Sequence, residues 1–136
     1  MQHHHPGVPA VLVVDDDPSM RTFVGHALSD AGYDVRAAMD VLEGVECLRD
    51  PGVAVAVLDM LFVNSDGRSG LDLLRYIRGN PKLRSLPVIV LTGFSLNRTV
   101  TDEVATLRAE LWHKPIDPLD LVQRINQLVD QNPAGA

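Results

Sequence analysis

Apolar residues in this chain fall into short unbroken runs, separated by longer stretches where they recur every three or four positions. Val11-Leu12-Val13-Val14, Val53 to Leu58 and Val88 to Leu91 are continuous and rich in β-branched residues, the pattern of strands buried on both faces. Tyr33 to Ala37 and Glu110 to His113 read as two weaker strands. Helix-period segments lie between them. The first opens at Pro18-Ser19, carries Met20, Phe23, Val24, Ala27 and Leu28 on one face, and stops at Gly32. The second starts at Asp40, with Glu43 forming a capping box and Val41, Val45 and Leu48 facing inward. The third spans Gly70 to Arg78 with Leu71, Leu74 and Ile77, and the fourth runs from about Leu96 to Leu107 with Val100, Val104 and Leu107 on one face. Asp117 and Pro118 begin the last, whose stripe is Leu121, Val122, Ile125, Leu128 and Val129.

Alternation of this kind predicts an α/β fold, a doubly wound five-stranded parallel sheet covered on both faces by right-handed crossovers. In such sheets the functional crevice lies beyond the carboxyl ends of the strands. There the sequence is polar. The first strand ends in Asp15-Asp16-Asp17, the third in Asp59, the fourth in Thr92-Gly93 and the fifth in Lys114-Pro115. Any one of these is an ordinary strand end or helix cap. Together Asp15, Asp16, Asp59, Thr92 and Lys114 bring three carboxylates, a hydroxyl and an ammonium to one edge. Carboxylates that close repel unless a cation sits among them, and hard oxygen ligands suit Mg²⁺. The set also fits phosphoryl transfer to a carboxylate, with Asp59 as nucleophile, Asp15 and Asp16 at the metal, and Lys114 and Thr92 at the phosphoryl oxygens.

Composition narrows the field. A chain of 136 residues suits one domain, and a net charge of −6 disfavours contact with nucleic acid. The single cysteine, Cys47, permits no internal disulfide and fits a reducing cytoplasm. No apolar run approaches the roughly 20 residues of a membrane helix, and the N-terminus lacks a secretory signal core. Residues 1–8, with His3, His4 and His5, are expected to be a disordered tip or a tag remnant, 9–131 the folded domain and 132–136 a tail. Neither a Gly-x-x-x-x-Gly-Lys-Ser/Thr loop nor a Gly-x-Gly-x-x-Gly fingerprint is present, which disfavours nucleotide enzymes. The basic residues Arg68, Arg75, Arg78, Lys82 and Arg84, grouped around the third helix, read as a solvated face, with a phosphate-binding patch as the alternative.

From about Ala10 to Val129 the chain resembles the receiver domain of two-component response regulators. The resemblance rests on Val13-Val14-Asp15-Asp16-Asp17 with Met20-Arg21, Asp59 after an apolar strand, Gly70-Leu71-Asp72-Leu73-Leu74, Pro87 to Gly93, and Lys114-Pro115, all in order. It implies a flavodoxin-like (βα)5 sheet in the order 2-1-3-4-5. It implies Asp59 as phospho-acceptor, with Thr92 and Lys114 as the switch hydroxyl and lysine. Mg²⁺ would be held by Asp15, Asp16, Asp59 and the backbone carbonyl of Leu61. The partners implied are a sensor histidine kinase or a histidine phosphotransfer protein, with a homodimer through helix 4, strand 5 and helix 5. The protein would be a cytoplasmic signalling switch, not an enzyme beyond its own phosphorylation and dephosphorylation.

The chain departs from the family pattern in three places. The loop Met60 to Ser69 holds no proline and places Gly70 eleven residues after Asp59, about three more than usual. The position that often carries an aromatic switch residue is Leu111, with Trp112 beside it. Leu61 and Phe94, two residues after Asp59 and Thr92, are apolar and would exclude water from an acyl phosphate, so slow autodephosphorylation is expected. Two other readings compete: a pseudo-receiver that binds partners without phosphorylation, and a Mg²⁺-dependent phosphohydrolase using Asp59, for which no cap segment is evident. With only a short tail after the last helix, a single-domain regulator or an excised receiver is expected.

Overall fold

The computed structural model describes residues 7–60, 69–93 and 96–131. Strands and helices alternate: β1 (Ala10–Val14), α1 (Pro18–Asp30), β2 (Asp34–Ala38), α2 (Val41–Cys47), β3 (Val53–Asp59), α3 (Gly70–Gly79), β4 (Val88–Thr92), α4 (Arg98–Thr106), β5 (Glu110–His113) and α5 (Pro118–Gln131). The sheet order is β2-β1-β3-β4-β5, and every neighbouring pair is parallel. This is the flavodoxin-like doubly wound topology expected from the sequence.

The unbroken apolar runs occupy the centre because successive side chains of a strand point to opposite faces and both faces are covered. Leu12, Val14, Leu58 and Val90 join Leu74, Ile77 and Val104 in the layer beneath α2, α3 and α4. Val11, Val13, Val57, Ile89 and Leu91 face Val24, Leu28, Leu121 and Ile125 of α1 and α5. At 25 cal/mol per Å², each such side chain contributes about 1.5–3 kcal/mol, so these two layers dominate stability.

Helix starts are set by short polar side chains that satisfy the first free N–H groups. Asp17 accepts from the Ser19 N–H at 2.9 Å, Asp40 from Glu43 at 2.8 Å, Asn97 from Val100 at 2.9 Å and Asp117 from Leu119 at 2.8 Å. Glu43 reaches back to the Met39 N–H at 3.0 Å, one residue before the cap, which closes the predicted box with a shift of one position. The Asn97 cap is also why α4 begins at Arg98 and not at Leu96.

Three sequence expectations need correction or sharpening. Phe23 is not a core residue of α1: it is 47% exposed, because the buried stripe of that helix runs through Val24 and Leu28. β2 begins one residue later than expected and buries Arg36, which pairs with Asp34 at 3.0 Å and Asp50 at 2.9 Å. The basic residues around α3 are a solvated face only in part: Arg75, Lys82 and Arg84 are exposed, whereas Arg78 is half-buried. Arg75 clamps α3 to α4 through Glu103 (2.6 and 2.8 Å), and Arg78 donates to the carbonyls of Leu107 and Leu86, both at 2.6 Å. Arg68, the N-terminal tip to residue 6, and the tail 132–136 lie outside the described residues. Among the described residues, no helix is long and apolar enough to cross a membrane.

Candidate functional site: an acidic crevice at the carboxyl edge

Parallel strands deliver their last residues to one edge, and register decides how close those residues come. Asp15 and Asp16 follow β1 directly, Asp59 is the last residue of β3, Thr92 the last of β4, and Lys114 follows β5. Asp59 stands opposite Leu91 and Thr92 opposite His113, so β3, β4 and β5 end at nearly the same height. Asp15, Asp16 and Asp59 each offer an oxygen within 4.8 Å of the others. The Lys114 Nζ lies 3.6 Å from Asp15 Oδ2 and 3.7 Å from Asp59 Oδ1. Asp15, Asp59 and Thr92 are buried, at 3%, 6% and 0% exposure, whereas Asp16 is exposed. Asp15, Asp59 and Thr92 thus form the buried part of the crevice, and Asp16 faces solvent.

Two contacts hold Asp15 in place. Its Oδ1 accepts the Asp17 N–H at 2.9 Å, and its carbonyl accepts from the Arg21 guanidinium at 2.7 Å. Burial pushes the Asp15 carboxyl up to about 6 from 3.8, against the pull of the Asp17 N–H; the charge of Asp59 raises it further and that of Lys114 lowers it. Three carboxylates against one ammonium leave a local excess of negative charge. Hard oxygens, partial burial and that excess together fit a divalent cation of the Mg²⁺ type. Asp17, grouped with Asp15 and Asp16 in the sequence, turns instead to cap α1.

Two residues acquire roles that the sequence motif did not explain. Arg21 ties the start of α1 to the backbone of Asp15. Gly70 abuts the acceptor strand: a Cβ there would sit 2.3 Å from the Asp59 carbonyl oxygen and 3.1 Å from the Met60 Cα, so α3 can begin so close only without a side chain. Met60 in turn donates its N–H to the Leu91 carbonyl at 3.0 Å, which ties the residue after Asp59 to β4. Leu61, Phe94 and loop residues 61–68 lie outside the described residues, so the carbonyl ligand and the two water-excluding positions fall there.

Alternation along β5 separates the two switch candidates. Leu111 packs into the layer beneath α4, while Trp112 packs against the α1–α5 layer and donates its indole N–H to Glu110 at 3.3 Å. Beside the crevice, sharing Gly93 and Lys114 with it, lies an apolar cleft of about 450 Å³ lined by Met20, Phe23, Pro115 and Ile116. This cleft accounts for Phe23, the aromatic that the core left out.

A 2-1-3-4-5 parallel sheet with a carboxylate cluster and a lysine at its carboxyl edge is a flavodoxin-like doubly wound arrangement. The chain belongs to the response regulator receiver domain family, whose sequence model matches residues 11–126. It is 31% identical over 122 residues to the transcriptional regulatory protein GltR of Pseudomonas aeruginosa, covering 88% of this chain and 48% of GltR. It is 32% identical over 120 residues to a 14.6 kDa protein of Leptolyngbya boryana, covering 86% and 87% of the two chains. The crystallised chemotaxis protein CheY4 of Vibrio cholerae superposes with a TM-score of 0.77 at 25% identity, covering 89% of this chain and 98% of that one. The chain spans about half the length of GltR. It is a receiver domain of the two-component type, and the pseudo-receiver and phosphohydrolase readings are not favoured.

Proposed function

We propose that Asp59 accepts a phosphoryl group from a phosphohistidine donor, a sensor histidine kinase or a histidine phosphotransfer protein. The observation that carries this is the packing of three carboxylates within 4.8 Å beside Lys114 at 3.6–3.7 Å. An Asp59 carboxylate oxygen forms the new bond to phosphorus as the bond from phosphorus to the donor imidazole nitrogen breaks. The electron pair leaves with the imidazole, and the product is an acyl phosphate. Asp15, Asp16 and Asp59, with the Leu61 carbonyl, are the residues that would hold Mg²⁺. When bound, that ion supplies charge neutralisation for the phosphoryl oxygens. Lys114 contributes a fixed positive charge on the opposite side, and the Thr92 hydroxyl donates to a phosphoryl oxygen as the β4 end adjusts.

The apolar cleft beside Lys114 gives the donor protein a landing surface, with Phe23 lining it at 47% exposure. The signal leaves through the α4–β5–α5 face, where β5 is the edge strand and two copies would pair. The unit that works in this way spans residues 9–131 in the cytoplasm and catalyses only its own phosphorylation and dephosphorylation. Intact mass after incubation with Mg²⁺ and acetyl phosphate tests the proposal. A gain of about 80 Da in the parent and none in Asp59→Asn is expected, and a gain retained in the variant would overturn the assignment.

A further inference from the structure

The opposite edge of the sheet carries a second charged cleft. It lies at the amino ends of β4 and β5, has a volume of about 260 Å³, and is lined by Arg78, Arg84, Arg108, Ser85 and Glu110 among others. Its charge is one-sided. Arg78 is held by backbone carbonyls, those of Leu107 and Leu86 at 2.6 Å and of Arg84 and Arg108 at 3.3 Å. Arg108 donates to the Arg84 carbonyl at 3.0 Å. Among the described residues, no carboxylate lies within ion-pair distance of Arg78, Arg84 or Arg108. Glu110, the acid on the wall, is already engaged by Arg124 at 2.8 and 2.5 Å and by the Trp112 indole at 3.3 Å.

Carbonyl hydrogen bonds fix a guanidinium in place but do not neutralise it. Burial and the neighbouring charge of Arg108 both push the Arg78 pKa down: a half-buried guanidinium stands beside an exposed one of the same sign. Arg108 is also the one described non-glycine residue with a left-handed backbone, at φ 60°, just past the α4 C-cap, a position that ordinarily takes glycine. A side chain retained there against backbone preference projects a cation to the cleft. All this occurs in a chain whose overall charge is −6.

We propose that this cleft binds a phosphate-bearing small molecule, gripped by Arg84 and Arg108 beside the fixed charge of Arg78. A single carboxylate satisfies one guanidinium fork. A phosphate dianion, with three acceptor oxygens and two charges, suits several forks from different segments. Trp112 reports on occupancy through Glu110, which lines the cleft and accepts from the indole.

The test uses the full chain dialysed free of metal, so that the carboxylates at the other edge repel anions. Inorganic phosphate and pyrophosphate are titrated at constant ionic strength against sodium chloride, reading Trp112 fluorescence and calorimetric heat. A saturable response with an affinity on the order of millimolar or tighter is expected for a phosphate probe. Arg84→Gln and Arg108→Gly should each weaken it by about tenfold or more. Arg108→Gly should keep or raise the thermal midpoint without anion, because glycine suits that backbone, so loss of binding there is not loss of fold. A response that chloride reproduces, that never saturates, or that persists unchanged in both variants would overturn the proposal.

Discussion

Among the described residues, two of the three clustered carboxylates at the carboxyl edge, Asp15 and Asp59, share the Lys114 ammonium, whereas at the amino edge three guanidiniums line a cleft with one carboxylate that Arg124 already holds. Both edges place charge where the helices favour it, since helix N-termini open on the first and C-termini on the second. The difference lies in how the charges are anchored. Arg78 is bound by four backbone carbonyls, so it is part of the fold. Asp15 is anchored at Oδ1 by one N–H, while its Oδ2 faces Lys114 and Asp59 lies within the same cluster. One edge is built of charge that holds backbone together, the other of charge that folding leaves in need of a cation.

Removing one charge from each edge should therefore change stability in opposite directions. Arg78→Leu strands the carbonyls of Leu107 and Leu86 and should destabilise the protein by about 3 kcal/mol in denaturant unfolding, with phosphorylation of the folded fraction unaffected. Asp15→Asn should do the reverse. The folded-state pKa of Asp15 is raised from 3.8 to about 6, so its contribution to stability is complete below pH 3.8 and is lost as pH rises through about 6. Without metal, the asparagine variant should be more stable than the parent above pH 6 by up to about 3 kcal/mol, with the gap closing below pH 4. A parent that is the more stable of the two at pH 7.5 without metal would break the comparison.

Lys114→Met sharpens it from the chemical side. Loss of the fixed positive charge should slow phosphoryl transfer about a hundredfold in mass-resolved time courses, while divalent-ion affinity is retained or improved because the ammonium no longer competes. The smallest effect should come from Gly70→Ala. Its methyl would meet the Asp59 carbonyl at 2.3 Å, so β3 and the start of α3 must part, at about 2 kcal/mol in thermal unfolding. The same variant should phosphorylate more slowly, since the acceptor moves with its backbone.

The carboxyl edge was legible in the sequence because its logic is local. A buried strand shows as an unbroken apolar run, and parallel topology then sends whatever follows that run to one edge; Asp15, Asp59, Thr92 and Lys114 each sit at such a boundary. The amino edge was legible only as a basic cluster that includes Arg78 and Arg84, without the partners that shape it. Arg78 bonds a carbonyl twenty-nine residues away and Arg84 meets Arg108 across twenty-four, separations that leave no spacing to read. Helical period likewise could not say which of Phe23 and Val24, about 100° apart on the helix, would be covered, and only Val24 is buried. Buried Arg36 escaped for the same reason as Arg78, since its partner Asp50 comes from beyond α2.

The central claim is that the cluster accepts a phosphoryl group at one carboxylate in particular. Borohydride reduction after phosphorylation with Mg²⁺ and acetyl phosphate converts an acyl phosphate to an alcohol, and peptide mass mapping then locates it. Homoserine at position 59, and aspartate unchanged at 15 and 16, is the predicted result. Reduction at Asp15 or Asp16, or a phosphorylated protein with Asp59 untouched, would contradict it.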